Sequence, residues 1–292
     1  MICEDYVTPS SVEEALAILA SQQGAGRLIS GGTDLMIQLQ RGDRNPVRCL
    51  VDVTRIRGLD EIKLQNSHIV VGAATTFAHL ERSALVRARA PVLAEAASWV
   101  GSPQIRNVGT LAGNVVNAQP AADGSIALLT LDAEAQIANL TGRQWVPMAS
   151  LYVSPGVSRL DASAEMITAF RFRAHGPREG SAFERLARRK ALALPLLNVG
   201  AYVLLDAEAR QIREARLAIG PVAPVPFRAQ QAEEALKNQP ITDAVLDEAI
   251  EIAVRESKPR SSLLRASKEY RQELIRTLTR RALQRAIQFA QG

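Results

Sequence analysis

Cysteine and histidine are scarce in this chain. Only Cys3 and Cys49 occur, far apart and without a C-x-x-C pair. That spacing excludes a cysteine-ligated iron–sulfur cluster held by the chain itself, and it offers no disulfide framework. The three histidines, His68, His79 and His175, show no paired metal-ligand spacing, so no metal site is expected. No G-x-S-x-G accompanies them, and each reads as a surface or hydrogen-bonding residue rather than a catalyst. No apolar run approaches the roughly 20 residues of a membrane span. The stretch Met1 to Ser10 carries Glu4 and Asp5 and no apolar centre, so a secretory signal is not expected and the expected location is cytoplasmic. No G-x-G-x-x-G opens a helix after a strand and no G-x-x-x-x-G-K-[ST] occurs, which removes the Rossmann and P-loop routes to a nucleotide.

Aromatic residues make up only 4%, and no stacking set accompanies the formal charge of +5. Most of that excess lies in Arg265, Lys268, Arg271, Arg276, Arg280, Arg281 and Arg285. These alternate at helical spacing with Leu274, Ile275, Leu278, Leu283 and Ile287, and so read as the solvated face of an amphipathic helix. Nucleic-acid binding is the competing reading of that charge, but no recognition motif supports it. Trp99 and Trp145 read as core or interface anchors.

What is present is a globular composition, 47% hydrophobic and 22% charged, over 292 residues. This suffices for two or three subdomains. Ser11 and Glu14 form an S-x-x-E capping box ahead of a short helix. Strands are expected at 27–30 and 47–53, with a helix from Leu35 between them, as a small β-α-β unit. Hairpins follow at 62–72 and 135–148, with a strand at 166–172. Between the hairpins, Thr75 and Thr76 cap one helix, Pro91 opens a second, and a third runs through Ile126, Leu128 and Leu129. The turn-rich cluster 175–180 separates this part from strands at 182–186, 199–205 and 213–219, and from helices at 229–236, 243–255 and 267–288.

Two segments carry the chemistry. In Leu28-Ile29-Ser30-Gly31-Gly32-Thr33-Asp34-Leu35 a strand runs through paired glycines into a helix, which lets backbone N–H groups face an anion such as a phosphate. A plain geometric turn gives the same pattern. The second segment, Gln104 to Asp123, reads as a long irregular stretch of small and amide residues. In it Thr110 and Asn114 can donate to phosphate or ribityl oxygens, Gly109 and Gly113 permit close approach, and Asp123 can accept from sugar hydroxyls. The other reading is a buried loop whose Asn and Thr side chains satisfy its own backbone.

The pattern S-G-G-T-D-L at Ser30 to Leu35, followed by Q-I-R-N-V-G-T-L-A-G-N from Gln104 and P-A-A-D ending at Asp123, resembles the FAD-binding medium subunit of the xanthine dehydrogenase and aerobic carbon monoxide dehydrogenase family. Val71-Gly72-Ala73-Ala74-Thr75-Thr76 is similar to that family's G-A-x-T-T, and Arg265 to Arg271 to its R-x-S-x-x-Y-R. The resemblance runs over nearly the whole chain. It implies an α+β fold: a FAD-binding domain over 1–174, divided into a small βαβ subdomain at about 1–57 and a mixed, largely antiparallel β subdomain at 58–174. A C-terminal domain over 180–292, with a three-stranded antiparallel sheet and a helical bundle, would follow.

The resemblance also implies non-covalently bound FAD, with Leu28, Ile29, Ser30, Gly31, Gly32, Thr33, Asp34 and Leu35 on one side of the pyrophosphate. Thr110, Leu111, Ala112, Gly113 and Asn114 would lie on the other. Asp123 would bind cofactor hydroxyls and Ile167 would lie near the flavin. Molybdenum cofactor and [2Fe-2S] clusters are then expected only on partners, a molybdenum-binding large subunit and an iron–sulfur small subunit, with a small-molecule electron acceptor beyond the flavin. Two departures from the family pattern stand out. Ala112 replaces the first glycine of T-x-G-G-N, which requires that this position need no positive φ. Glu184 stands where some relatives carry Lys. A stand-alone FAD-dependent oxidoreductase of the same fold is the alternative within flavoproteins.

Overall fold

The computed structural model describes residues 3–43, 47–262 and 266–292, so Arg265 of the C-terminal motif lies outside the described residues. The chain begins with three short parallel strands, β1 (Asp5–Val7), β2 (Gly26–Ile29) and β3 (Cys49–Asp52), in the order β1-β3-β2. Helices α1 (Val12–Ser21) and α2 (Leu35–Arg41) alternate with them. Ser11 caps α1 by accepting the Glu14 N–H at 3.1 Å. The Glu14 carboxylate returns to Ser10 rather than to Ser11, accepting from its N–H and its hydroxyl at 2.7 Å each, so the capping box is displaced by one residue on that side. Val12, Ala15, Leu16 and Leu19 form the buried stripe of α1. Strand β1 is absent from the sequence expectation because its three residues, mostly exposed, show no alternation to read.

The next part is built on a five-stranded antiparallel sheet of order β4-β5-β10-β6-β7. Its strands are β4 (Ile62–Gln65), β5 (His68–Gly72), β6 (Glu134–Asn139), β7 (Gly142–Pro147) and, after a small β8 (Tyr152–Ser154) and β9 (Val157–Ser158) hairpin, β10 (Met166–Arg173). Six helices separate β5 from β6: α3 (Phe77–Arg82), α4 (Ala84–Arg89), α5 (Pro91–Trp99), α6 (Pro103–Val108), α7 (Leu111–Val116) and α8 (Asp123–Thr130). Ile69, Phe170 and Phe172 from the sheet share one core with Leu80, Leu93, Leu111 and Leu128 from the helices.

The segment expected to be irregular from Gln104 instead contains α6 and α7. Each is a six-residue helix whose N-cap hydroxyl, Ser102 or Thr110, accepts the N–H three residues on. Helices this short leave no periodicity to detect, and the hydroxyl caps are their main sequence signal. Of the two readings of the tryptophans, core or interface anchors, the core one does not hold. Trp99 is exposed and Trp145 half-buried, and Arg185 and Arg171 lie over their rings at 5.5 and 4.3 Å.

The last part has three long antiparallel strands, β11 (Glu179–Ala187), β12 (Pro195–Leu205) and β13 (Gln211–Gly220). Two-residue strands β14 (Phe227–Arg228) and β15 (Gln239–Pro240) add to β13. Helices α9 (Gln230–Leu236), α10 (Asp243–Glu256) and α11 (Lys268–Gln291) share a second core with this sheet. The basic side of α11 departs from a solvated face. Arg271 is 4% exposed and donates to the carbonyls of Leu196 and Pro221. Arg276 pairs with Glu251 and Glu273, Arg280 with Asp243 and Asp247, and Arg285 with Glu95 and Glu184. These pairs with carboxylates of the same chain offset part of the helix's positive charge locally.

Phe183 and Ala218 of the C-terminal part pack in the first core, and polar contacts join the two parts beside them. Glu95 of α5 accepts the Phe183 N–H of β11 at 2.8 Å and also receives Arg285 of α11. At the join, His175 Nε2 lies 2.8 Å from Ser181 Oγ, and the ring is 5% exposed. Burial, together with the nearby Arg216, Arg173 and Arg89, pushes His175 down to about 3. The unfolded chain therefore binds more protons than the folded one between the ordinary histidine pKa of about 6.5 and the folded value. The stability this difference supplies is full above about pH 6.5 and drains as pH falls toward 3. His175→Gln, which keeps a hydrogen-bonding group and does not titrate, is expected to flatten the loss of denaturant stability across that interval. An unchanged pH slope would contradict the assignment.

Candidate functional site

The first segment leaves β2 at its carboxyl end and enters α2. Leu28 packs toward the core of the small sheet, Ile29 is buried, and Leu35 packs against the cluster of Ile29, Leu39, Val47 and Leu50. These three side chains anchor the loop and leave Ser30 to Asp34 to shape its surface. Gly32 has φ +65°, a left-handed conformation that a side chain strains. The N–H groups of Gly31, Gly32, Thr33, Asp34 and Leu35 donate to no described residue. The Asp34 side chain makes no cap bond to them either. Ser30 Oγ is buried without a partner among the described residues. Five successive N–H groups without an acceptor among the described residues are donors that an anion can engage.

The second segment lies against the first. A Cβ built on Gly31 would overlap the Val108 carbonyl and fall 2.9 Å from Gly109 Cα, so the two backbones touch only because residue 31 has no side chain. A second link joins Gln38 of α2 to Asn117, whose Oδ1 accepts the Gln38 amide at 3.4 Å. The second segment is itself clamped by the stretch 73–77. Leu111 N–H donates to Thr75 O at 3.0 Å, Ala112 N–H to Ala73 O at 3.2 Å, and Phe77 N–H to Gly109 O at 3.0 Å. Ala73 N–H donates in turn to Thr168 O at 3.0 Å, where a bulge interrupts β10. The G-A-A-T-T motif thus works as a backbone clamp, a role the sequence did not disclose.

Thr110 Oγ1 accepts the Gly113 N–H at 3.3 Å, so the hydroxyl is the N-cap of α7, and the Thr110 N–H donates to no described residue. A cap of this kind stabilises the helix by about 1 kcal/mol. Leu111 is fully buried and holds α7 in the core. Ala112 sits inside α7 with no positive φ, which is why alanine is tolerated where the family pattern has glycine. Asn114 Oδ1 is buried without a partner among the described residues.

Asp123 starts α8 and is 6% exposed. Its Oδ1 accepts from Asn198 Nδ2 at 2.6 Å and from Arg185 Nε at 3.2 Å. Burial pushes its carboxyl up to about 6, against the pull of Arg185 and the Asn198 hydrogen bond. Sequence reasoning missed Arg185 and Asn198 because they lie 62 and 75 residues further on. Ile167, 4% exposed in β10 opposite Ile137, belongs to the sheet core next to the Thr168 bulge. Among the described residues no cluster of His, Cys, Asp and Glu could hold a metal ion, and no helix is long and apolar enough to cross a membrane.

An α+β fold in which a backbone turn with free N–H groups among the described residues faces a second glycine-bearing segment fits the class of proteins that bind a phosphate-bearing cofactor. Comparison with known proteins gives that class its family. Residues 2–172 match the FAD binding domain in molybdopterin dehydrogenase, and residues 181–286 match the CO dehydrogenase flavoprotein C-terminal domain. The xanthine dehydrogenase FAD-binding subunit of Escherichia coli O157:H7 is 35% identical, with 98% of this chain and 97% of the relative covered. Subunit alpha of the 6-hydroxypseudooxynicotine dehydrogenase complex of Paenarthrobacter nicotinovorans is 32% identical over 97% of this chain and 94% of that one. A solved carbon monoxide dehydrogenase chain from Hydrogenophaga pseudoflava superposes with a TM-score of 0.92 at 28% identity, covering 98% of this chain and 97% of that chain. The chain belongs to the family of FAD-binding subunits of molybdopterin dehydrogenases, and is a subunit of an oxidoreductase.

Proposed function

We propose that this chain carries FAD non-covalently between the two facing segments and relays electrons within a molybdenum hydroxylase. The observation that supports this most strongly is the run of five N–H groups, Gly31 to Leu35, that donate to no described residue and lie against the Val108–Gly109 backbone. In this reading Leu28 to Leu35 and Thr110 to Asn114 bracket the pyrophosphate, with their N–H groups opposing its charge. Ser30 Oγ and Asn114 Oδ1, buried and unpartnered among the described residues, fit a ligand with both donors and acceptors. Asp123 accepts from cofactor hydroxyls and Ile167 backs the flavin through the sheet. FAD supplies the electron-accepting chemistry, and the residues around it bind, orient and shield it, so no acid–base constellation is required.

The division of the chain at about 174–180, with a smaller division near 57, belongs to the same reading. So does a cytoplasmic location. The partners are an iron–sulfur small subunit and a molybdenum-binding large subunit, since this chain has too few cysteines to ligate a cluster. A small-molecule acceptor takes the electrons from the flavin. The relatives' names span xanthine, 6-hydroxypseudooxynicotine and carbon monoxide on one fold, which supports a substrate chosen by another subunit. Purification of the native assembly tests the relay. Flavin should accompany this chain, with molybdenum and iron on the other chains, and substrate should bleach the flavin only in the intact complex. A lone chain that turns over its substrate fully without molybdenum or iron would refute it.

A further inference from the structure

Arg185 lies at the end of β11, where the C-terminal part meets the second segment of the site. Its side chain is 3% exposed and its groups are distributed among three structures. Nε donates to Asp123 Oδ1 at 3.2 Å, Nη2 donates to the Ala193 carbonyl, and the guanidinium lies 5.5 Å from the Trp99 ring centroid. Asp123 in turn adjoins Gly124, where a built Cβ would come 2.7 Å from Asn114 Oδ1. A second strut runs beside it, because Leu192 N–H donates at 3.1 Å to Gly101 O, next to the Ser102 cap of α6. The C-terminal part therefore touches both helices that carry the second segment, α6 through the Leu192–Gly101 bond after β11 and α7 through Arg185 of β11 on Asp123, next to Gly124.

We infer that Arg185 is a positioning residue for the cofactor. It holds the Asp123 carboxylate ionised and aimed, and it ties cofactor retention to seating of the C-terminal part. The inference rests on the FAD reading above. A salt bridge serving only to join two domains would not need to engage the carboxylate that the same reading places on the cofactor. Other charged groups on elements packed against α8 are committed elsewhere. Glu95 of α5 pairs with Arg285, Arg228 of β14 with Asp132 and Glu233, and Arg216 of β13 with Glu214. Arg213 of β13 donates to Asn238. Arg185 is thus the cation that acts on Asp123, whose carboxyl burial pushes up to about 6.

The test is FAD titration of the full-length apo-chain by flavin fluorescence across pH 5 to 9, with wild type, Arg185→Gln and Arg185→Lys compared. Apo-chain melting serves as the folding control. In wild type, affinity should fall as acid protonates Asp123. Arg185→Gln should weaken FAD about tenfold at neutral pH and move that acid limb upward, because an unpaired buried carboxylate protonates sooner. Arg185→Lys should restore the limb in part, since it returns the charge without the fork. An Arg185→Gln chain that melts lower but keeps the wild-type affinity and pH profile would reduce Arg185 to a domain joint and overturn the inference. Failure of wild type to bind FAD at all would instead strike the cofactor reading itself.

Discussion

Gly31→Val should abolish FAD retention in an otherwise folded chain. Residue 31 is where the two segments touch, and any Cβ there would run into the Val108 carbonyl and Gly109 Cα. Backbone on that side cannot yield as a flexible side chain would, because Gly109 O is already engaged by the Phe77 N–H and Leu111 N–H is held by Thr75. The first loop must therefore back away, taking its five N–H groups out of register. Losing several charge-assisted hydrogen bonds, each contributing about 1.5–3 kcal/mol, corresponds to a loss of affinity on the order of a hundredfold or more. The check is the flavin-to-protein absorbance ratio after gel filtration. Gly176→Ala is the control, because residue 176 has an ordinary φ and its Cβ would meet nothing closer than Glu179 Oε1 at 3.7 Å. Wild-type flavin content in Gly31→Val would show that the contact does not shape the site.

Leu111→Ala should have the second-largest effect, and on two readouts at once. Its side chain is fully buried in the core that also holds Phe77, Val115 and Ile126, and it follows the Thr110 cap in sequence. Truncation of a buried leucine costs about 2–5 kcal/mol, the spread reflecting how far the cavity collapses. Because α7 is only six residues long, it has little intrinsic stability and depends on this packing for its place. FAD affinity should therefore fall along with denaturant stability. Addition of FAD should recover part of the lost stability, since a ligand that binds only the folded chain stabilises it by mass action. A stability loss below about 1 kcal/mol, or full stability loss with unaltered FAD affinity, would contradict the coupling.

How much of this was legible beforehand depends on the range of each interaction. Elements written in local signals came through: the Ser11, Thr76 and Pro91 starts, the two hairpins, and the three long C-terminal strands each carry their cap, turn or alternation within a few residues. The facing of Gly31 on Val108 could not be read, since it joins positions 77 residues apart through backbone atoms that leave no side-chain pattern. The same holds for Arg185 and Asn198 on Asp123. Arg271 misled for a related reason. Helical periodicity places it among the arginines of α11, and only the tertiary fold supplies the Leu196 and Pro221 carbonyls that make its burial tolerable. The residues alone leave the site open, because paired glycines after a strand fit a plain turn equally well.

The most direct test of two segments closing on one cofactor is amide hydrogen exchange on the full-length chain with and without FAD. Without it, the N–H groups of Gly31 to Leu35 and of Thr110 have no acceptor among the described residues and should exchange fast. With FAD bound, peptides covering 28–35 and 104–114 should both slow, in step with flavin occupancy. Protection in only one of the two peptides, or in neither, would contradict the account.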